Sequence, residues 1–324
     1  MAVKRIGILT SGGDAPGMNA AIRAVVRTAH HYDIEVLGIR RGYNGLINGD
    51  IFEMNYNSVS GLTGRGGTIL YTARCQEFTT PEGIAKAHDT CKYRGIDGIV
   101  GIGGDGTLRG LRDLSTSGVA TCGIPATIDN DVACTNYSIG FDTACNTAVD
   151  AIDKLRDTMR SHERCSIVEV MGHRSGHLAV YVGIAVGANE ILVPERPHDF
   201  QEEIVEKIRF MRNRGNTHFI VIVAEGAIGA ADIAAQIKEH TGMDPRITVL
   251  GHIQRGGAPT ARDRVTASRM GKYAVDTLLE GKTNRVVGII DGNLQDFDIY
   301  EGLKMERGLQ ETMYETALLL SNVK

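Results

Sequence analysis

The apolar positions divide the chain into short apolar runs separated by longer amphipathic stretches. Several runs are continuously apolar rather than alternating, which is typical of parallel strands buried on both faces. Strands that alternate with helices indicate an α/β fold, in which the loops at the carboxyl ends of the strands bind ligands. The runs predict strands at Val3–Leu9, Ile34–Ile39, Gly98–Ile102, Val119–Ile124, Ser166–Val170, Phe219–Ala224, Thr248–Gly251 and Arg285–Ile289.

The clearest helix is predicted over Thr143–Met159, where Ala148, Ile152, Leu155 and Met159 recur at spacings of three and four. Such spacing places apolar side chains on one face of a helix. Predicted strands end in glycine or an acidic residue in the segments LTSGGD, GIGGDG, IPATIDND and VAEG. We therefore expect a ligand site built from these strand ends.

Composition narrows the class of protein. The 324 residues suffice for two α/β domains, and 42% hydrophobic with 23% charged residues is an ordinary globular composition. The net charge of −4 gives no sign of a nucleic acid or an anionic membrane as partner. The six cysteines form no CxxC pair, the apolar run in MAVKRIGILTSGG is shorter than that of a signal peptide, and no apolar run reaches about 20 residues. We expect reduced thiols and a cytoplasmic protein.

Two glycine-rich turns follow predicted strands. In ILTSGGDAPGMNAAIR, Gly12 and Gly13 allow the backbone to approach a phosphate closely, or they serve only the geometry of a tight turn. In GIGGDGTLRG, Asp105 lies among glycines, where a carboxylate can hold Mg²⁺ beside phosphate. The alternative is an aspartate that caps a helix beginning near Thr107. Two such turns in one α/β chain favour phosphate binding.

The segment PATIDND places Asp129 and Asp131 on either side of Asn130. A sugar hydroxyl is a poor nucleophile, so phosphoryl transfer to it needs a carboxylate that accepts its proton. A turn rich in aspartate and asparagine would explain one acid but not two. The segment therefore indicates a kinase base.

Cationic side chains occur near predicted strand ends, at Arg74, Arg164, Arg246, His252 and Arg255. Arginine suits bidentate capture of phosphate, although each of these is by itself more often a surface charge. Elsewhere, Glu225 directly follows an apolar strand and either accepts a sugar hydroxyl or caps a helix. Arg23 and Arg27 share a helix face with no alternating glutamate, so they form a solvated stripe or receive an anion.

In this order, the motifs LTSGGDAPGMNAAIR, RGGTILYTAR, GGDGT, TIDND, IGFDTA, DAIDKLRDT, SHER, VMG, AEG, VLGHIQRGG and DRVTASR run through nearly the whole chain. Together they resemble the bacterial ATP-dependent 6-phosphofructokinases of glycolysis. GGDGT alone also occurs in NAD and diacylglycerol kinases, but those families lack HIQRGG and SHER.

The resemblance implies transfer of the ATP γ-phosphoryl group to the 1-hydroxyl of fructose 6-phosphate, with Mg²⁺, by a homotetramer. It implies two Rossmann-like three-layer α/β domains with parallel sheets and an active site in the cleft between them. The larger, ATP-binding domain would comprise residues 1–140 and about 252–305. The smaller, sugar-phosphate-binding domain would comprise residues 141–251 and about 306–324.

Residue roles follow from the same resemblance. Asp129 would be the base, with Arg74 and Thr127 as further catalytic residues, and Asp105 would bind Mg²⁺. ATP would contact Gly13, Arg74, Cys75, Gly104, Asp105, Gly106 and Thr107. The sugar phosphate would contact Thr127, Ile128, Asp129, Met171, Gly172, His173, Glu225, His252, Ile253, Gln254 and Arg255, while Arg164 and Arg246 would come from a neighbouring subunit.

The phosphoryl donor can be inferred from two positions. Pyrophosphate-dependent relatives typically read GGDD and PKTIDND, whose extra acid and lysine fill the space of ATP. This chain has Gly106 and Ala126 there, which favours ATP over pyrophosphate. A catalytically silent subunit that only binds sugar phosphate or an effector is a further alternative, although the retained Asp105 and Asp129 count against it.

Two departures from the family pattern bear on the sugar site and on regulation. His173 stands where relatives have arginine, and on an extended segment Arg174 would point to the opposite side unless the chain shifts locally. The family's effector pocket takes ADP or phosphoenolpyruvate between subunits. Its expected residues here are Arg23, Arg27, Arg156, Gly187, Asn189, Arg214, Asn216 and His218, with Gly61 and Asn189 replacing acids and Asn216 replacing a lysine. We expect altered effector control.

Overall fold

A computed structural model describes residues 3–162, 164–216 and 218–321. Glu163 of the SHER motif and the last three residues of the predicted smaller domain lie outside these ranges. The chain divides into two compact units. Unit 1 comprises Met1–Ile128, Val132–Thr143 and Arg255–Arg307, and unit 2 comprises Asp129–Asp131, Ala144–Gln254 and Gly308–Lys324. Which unit serves ATP and which serves the sugar stays a prediction.

The described residues form strands and helices in alternation. The strands are β1 Arg5–Thr10, β2 Glu35–Ile39, β3 Ile51–Met54, β4 Gly98–Gly103, β5 Ala120–Pro125, β6 Cys165–Val170, β7 Glu190–Leu192, β8 Phe219–Ala224, β9 Arg246–Val249, β10 Arg285–Ile290 and β11 Asn293–Asp298. The α-helices are α1 Met18–His31, α2 Gly42–Asn48, α3 Pro81–Arg94, α4 Asp105–Ser115, α5 Phe141–His162, α6 His177–Val186, α7 Lys207–Asn213, α8 Ala230–Thr241, α9 Ala261–Leu279, α10 Ile299–Lys304 and α11 Glu311–Ser321. Short 3₁₀ turns at Tyr56–Val59, Glu77–Thr79 and Gly251–Arg255 and a π-helical stretch at Phe200–Glu206 complete the set.

Unit 1 contains a seven-stranded sheet in the order β11-β10-β5-β4-β1-β2-β3. The five inner strands are parallel, and β3 and β11 pair antiparallel at the two edges. Its core includes the fully buried side chains of Leu9, Ile39, Ile99 and Leu111. A mostly parallel sheet needs apolar cover on both faces, which is why its strands are continuously apolar.

Unit 2 contains a four-stranded sheet in the order β7-β8-β6-β9, in which all neighbours are parallel. Strand β8 is buried along its whole length. The core joins Phe219 and Val221 of this strand to Ile233 and Ile237 of α8. Both units therefore have the mixed α/β architecture with parallel strands that the sequence predicts.

All eight predicted strands are present, with ends shifted by up to two residues. The predicted strand Thr248–Gly251 moves to Arg246–Val249 because Gly251, with φ of +54°, begins a 3₁₀ turn. The predicted helix Thr143–Met159 lies within α5. Strands β3, β7 and β11 were missed, since they are short or carry polar edge residues. Among the described residues, no helix is both long and apolar enough to cross a bilayer.

Candidate active site

The carboxyl ends of β1, β4 and β5 are neighbours in unit 1, because these three parallel strands are adjacent in the sheet. The segments LTSGGD, GIGGDG and IPATIDND therefore leave the sheet at one edge. The Ser11 amide donates to the Ile102 carbonyl at 3.1 Å, and the Ala126 amide donates to the Gly103 carbonyl at 3.0 Å. The structure thus brings the two glycine turns and the start of the aspartate segment together.

The glycine turns pack tightly against each other. Thr107 is buried and donates its hydroxyl to the Ser11 carbonyl at 3.0 Å. A Cβ on Gly103 would lie closer than 3.0 Å to both of these groups, so glycine is required there for close approach. Gly12 has φ of +82°, as a tight turn needs, but α1 begins only at Met18. The dipole of α1 therefore acts on Gly12 and Gly13 less directly than the sequence suggested.

Asp105 is the first residue of α4, and Gly104 occupies the N-cap position without a side-chain cap. The capping role considered for Asp105 is therefore wrong. Its side chain is 44% exposed and lies 3.7 Å from Arg109 one helical turn away. A single accessible carboxylate at a glycine turn fits Mg²⁺, which usually takes one or two carboxylates besides phosphate and water. The described residues include no cluster of three or more His, Cys, Asp or Glu that could bind a metal by itself.

The aspartate segment is buried rather than solvated. Asp129 and Asn130 are 8% and 4% exposed, and Ile128 is fully buried. Asn130 adopts a left-handed conformation with φ of 52°. In unit 1, the Ser138 hydroxyl donates to the Thr127 carbonyl at 2.7 Å. Asp129 is therefore a buried carboxylate within a turn, and its role as the base stays a prediction.

Arg255 and Gln254 differ in their surroundings. The Arg255 guanidinium lies against Gly13 and donates to the Asp14 carbonyl at 3.3 Å, so it belongs to the first glycine turn in unit 1. Gln254 is fully buried and donates to the Gly251 carbonyl at 3.2 Å. Its amide therefore supports its own turn, while the neighbouring Ile253 is 56% exposed.

The other segment identified by sequence, VAEG, belongs to unit 2. The Glu225 amide donates to the Val170 carbonyl at 2.9 Å, and the Glu225 carboxylate accepts the His173 amide at 2.8 Å. Helix α8 begins at Ala230 with Gly229 as its N-cap, so Glu225 is not a helix cap. The carboxyl ends of β6 and β8 thus hold Met171, Gly172, His173 and Glu225 together.

The segment after β6 turns instead of remaining extended. The Ser175 amide donates to the Gly172 carbonyl at 2.9 Å, and His173 has φ of 56°. The assumption that His173 and Arg174 alternate along an extended chain is therefore wrong. Both are exposed in the middle of a four-residue turn, and the conformation of the turn decides where each points.

Arg164 and Arg246 lie at the amino ends of the unit 2 strands, whereas Glu225 lies at their carboxyl ends. Arg164 immediately precedes β6, and Arg246 begins β9, where it pairs in register with Ser166. Four residues of strand, about 13 Å, separate this register position from the carboxyl end of β6. Both arginines are exposed, and Arg246 pairs loosely with Asp244 at 3.6 Å.

The residues predicted for an effector pocket are distributed over both units. In unit 1, the Arg27 guanidinium stacks on the Tyr56 ring at 3.5 Å, so Arg27 is not an unpartnered charge. In unit 2, Arg156 donates to the Val186 carbonyl beside Gly187. The Asn189 side chain accepts the Ile220 amide at 2.8 Å, which commits that oxygen to β8. Three of the remaining residues are half-buried: Arg23, Asn216 and His218. Gly61 is exposed with φ of 73°, and the Arg214 guanidinium stacks on the Phe210 ring at 4.4 Å.

Three buried polar residues of unit 1 lie within the sequence motifs without an assigned role: Thr10, Asn19 and Asp263. Asp263 is fully buried and accepts hydrogen bonds from Tyr137, Gly140 and Thr143. Burial raises the pKa of Asp263, and the hydrogen bonds oppose that rise. A polar residue within an apolar run indicates a buried polar side chain, as Asn19 does in GMNAAIRAVV.

Two glycine turns at one sheet edge of unit 1, one of them carrying the accessible carboxylate of Asp105, are typical of an α/β phosphotransferase. Residues 5–278 match the family model "Phosphofructokinase", and the chain belongs to the phosphofructokinase family. It is 56% identical to ATP-dependent 6-phosphofructokinase 1 of Clostridium perfringens (strain 13 / Type A), over 97% of this chain and 98% of that protein. It is 54% identical to ATP-dependent 6-phosphofructokinase of Clostridium botulinum (strain Hall), over 98% of this chain and all of that protein.

A solved phosphofructokinase from Saccharomyces cerevisiae is 34% identical with a TM-score of 0.88. The match covers 98% of this chain and 48% of the yeast chain, so this chain spans about half of that larger protein.

Proposed function

We propose that the protein transfers the γ-phosphoryl group of ATP to the 1-hydroxyl of fructose 6-phosphate, giving fructose 1,6-bisphosphate and ADP. This reaction is the committed step of glycolysis and would take place in the cytoplasm. The observation that carries the proposal is the meeting of the LTSGGD and GIGGDG segments and residues 124–128 of IPATIDND at one sheet edge in unit 1. The names and high identity of the clostridial relatives support the choice of donor and acceptor.

In this proposal unit 1 binds ATP. The phosphates of ATP lie along the backbone of Gly13 and Gly104. The amides at the start of α4 donate to these phosphates, because no side chain caps that helix end. Arg74 neutralises charge on the transferring group. Mg²⁺, held by Asp105, would neutralise phosphate charge when bound.

Asp129 accepts the proton of the sugar 1-hydroxyl as the new oxygen–phosphorus bond forms and the bond to the ADP oxygen breaks. The 8% exposure of Asp129 keeps competing water away from the carboxylate. General base catalysis of this kind contributes about 10²–10⁴-fold to rate. Thr127 is proposed to orient the hydroxyl beside it.

The sugar phosphate is proposed to bind residues at the carboxyl edge of the unit 2 sheet. Glu225 accepts a sugar hydroxyl through the carboxylate oxygen that the His173 amide does not occupy. The turn at residues 172–175 presents His173 and Arg174, and either side chain can supply the cation that relatives place at position 173.

Arg164 and Arg246 support the proposal of an oligomer. They lie at the amino ends of the strands, away from Glu225 at the carboxyl ends. We therefore propose that they bind the sugar phosphate in the site of a neighbouring subunit. Strand β9 is an edge strand with Ile247 43% and Val249 59% exposed, an unusual apolar edge for a monomer. We propose the homotetramer that the family pattern implies.

Control by ADP or phosphoenolpyruvate is proposed to be weaker than in relatives. Asn189 supplies no charge to a Mg²⁺–nucleotide, and its side-chain oxygen is committed to the Ile220 amide. Titrating initial rates with ADP and with phosphoenolpyruvate tests this, and strong responses to both would contradict it.

The direct test of the reaction compares ATP with pyrophosphate as donor at saturating fructose 6-phosphate in a coupled assay that detects fructose 1,6-bisphosphate. ATP should support turnover and pyrophosphate should not, because Gly106 is exposed and Ala126 is uncharged. Product formed from pyrophosphate at a comparable rate would overturn the donor assignment. No product from either donor would overturn the proposed reaction.

A further inference from the structure

The stretch from Leu62 to Cys75 contains neither helix nor strand, and it ends with Arg74 and Cys75, which are proposed to contact ATP. Without a strand ladder, such a segment is positioned by side-chain hydrogen bonds and by packing. Two buried side chains from the β1–α1 region supply most of the hydrogen bonds that reach it. They are Thr10 and Asn19, which are 0% and 1% exposed.

Thr10 is the last residue of β1. Its hydroxyl lies 2.9 Å from the Thr68 hydroxyl and donates to the Tyr71 carbonyl at 2.9 Å. Tyr71 has φ of 57°, so the chain bends sharply at the residue that Thr10 holds. Three residues later the chain reaches Arg74. The Thr10 hydroxyl therefore acts at the bend that sets the direction of the Arg74 segment.

Asn19 lies in the first turn of α1 and uses both ends of its amide. The nitrogen donates to the carbonyls of Arg65 and Gly66 at 3.1 and 3.0 Å. The oxygen accepts the Ile69 amide at 2.9 Å. A buried amide with this many bonds holds one conformation of the segment, because any shift leaves a polar atom without a partner.

These two residues stand on either side of the Gly12–Gly13 turn in the sequence. The same short region of unit 1 thus forms one proposed phosphate turn and fixes the segment that brings Arg74. From this arrangement we infer that Thr10 and Asn19 are positioning residues for phosphoryl transfer, which set Arg74 and Cys75 relative to the Gly12–Gly13 turn. The inference rests on the proposed function, since it assigns Arg74 to the transferring phosphoryl group.

The experiment replaces Thr10 with valine, which removes the hydroxyl but keeps nearly the same side-chain shape. Thr10→Val should lower kcat/KM for ATP by about 10–100-fold, because a displacement of about 1 Å in a positioned group costs rate on that order. KM for fructose 6-phosphate should change by less than threefold. Thr10→Ser keeps the hydroxyl and should restore most of the activity. Asn19→Asp keeps the acceptor for Ile69 but loses both donors, and should resemble Thr10→Val.

Thr121→Val is the matched control. Thr121 is fully buried at the other end of the unit 1 strands, and within the described part of the chain its hydroxyl has no hydrogen-bond partner. Its kinetics should stay within twofold of the unmodified protein. If Thr10→Val and Thr121→Val have the same kinetics at equal thermal stability, or if Thr10→Ser fails to recover, the inference is overturned.

Hydrogen–deuterium exchange keeps this test independent of the reaction. Thr10→Val should speed exchange in peptides that span residues 65–75 and leave peptides from unit 2 unchanged. Unchanged exchange in residues 65–75 would overturn the positioning role even if activity falls. Faster exchange there in a protein that proves inactive with every donor would uphold the positioning of the segment and refute only the proposed reaction.

Discussion

Alanine substitutions at Gly103 and Gly106 separate a glycine required by packing from a glycine required by a ligand. At Gly103, a Cβ would lie closer than 3.0 Å to the Thr107 side chain and to the Ser11 carbonyl. The carbonyl belongs to the backbone and cannot rotate away. Overpacking of this kind costs about 1–3 kcal/mol. Loss of the Thr107–Ser11 hydrogen bond adds about 0.5–1.5 kcal/mol.

The Gly103→Ala protein should therefore lose about 2–4 kcal/mol of stability. For a folding unit of 150–250 residues this corresponds to a fall in Tm of roughly 5–15 °C. Gly106 differs, since a Cβ there meets no atom of the described chain within 4 Å, and the residue is the second of α4. Alanine is the better helix former by up to about 1 kcal/mol, so Gly106→Ala should keep or raise the Tm.

Gly106→Ala should weaken ATP binding although it does not lower the Tm. Its methyl group would stand beside the first amides of α4, where the proposed ATP phosphates lie, and KM for ATP should rise about tenfold. Melting followed by circular dichroism, together with ATP titrations at saturating fructose 6-phosphate, measures both effects. The reasoning is refuted if Gly106→Ala melts as low as Gly103→Ala, or if its KM for ATP equals that of the unmodified protein.

Three further predictions concern single side chains. Replacing Asp129 with serine should lower kcat by about 10²–10⁴-fold, and an unchanged kcat would remove Asp129 from the role of base. Lys207→Met should lower the free energy of unfolding by about 3–5 kcal/mol. The Glu190 carboxylate lies 2.9 Å from the Lys207 ammonium, its side chain is only 5% exposed, and it would stay buried without that partner. An unchanged Tm would contradict this. Burial alone would raise the pKa of Asp296, but hydrogen bonds, chiefly from Arg285 at 2.6 Å, lower it overall. The stability that this carboxylate contributes is therefore present above its unfolded pKa and lost as pH falls through the lower folded value. In Tm measurements from pH 7 to pH 3, Asp296→Asn should show a shallower acid decline than the unmodified protein, and an equally steep decline would count against the assignment.

Local pattern was sufficient for the parallel core of both sheets and for helix α5. Continuous apolar runs report burial on both faces of a strand, and that information lies within a few neighbouring residues. The same pattern placed glycine and acidic residues at strand ends, and parallel strands bring such ends to one edge. Edge strands such as β3 and β11 lack this signal because one side of each strand faces no neighbour.

The sequence by itself determined the α/β class, the inner strands and the family's motifs, because each of these depends on residue types at short spacing. Only the tertiary structure showed that Thr10 and Asn19 hold the Arg74 segment, that Arg255 lies against Gly13, and that His173 sits in a turn. The contacts of Thr10, Asn19 and Arg255 join residues about 50 to 240 positions apart, as in the Asn19–Ile69 and Arg255–Asp14 pairs. The His173 turn is closed locally by Gly172 and Ser175, and its His173 amide donates to Glu225, 52 positions away. Local periodicity does not respond to such distant partners, since the same polar residue suits a solvated surface or a buried site until the chain folds around it.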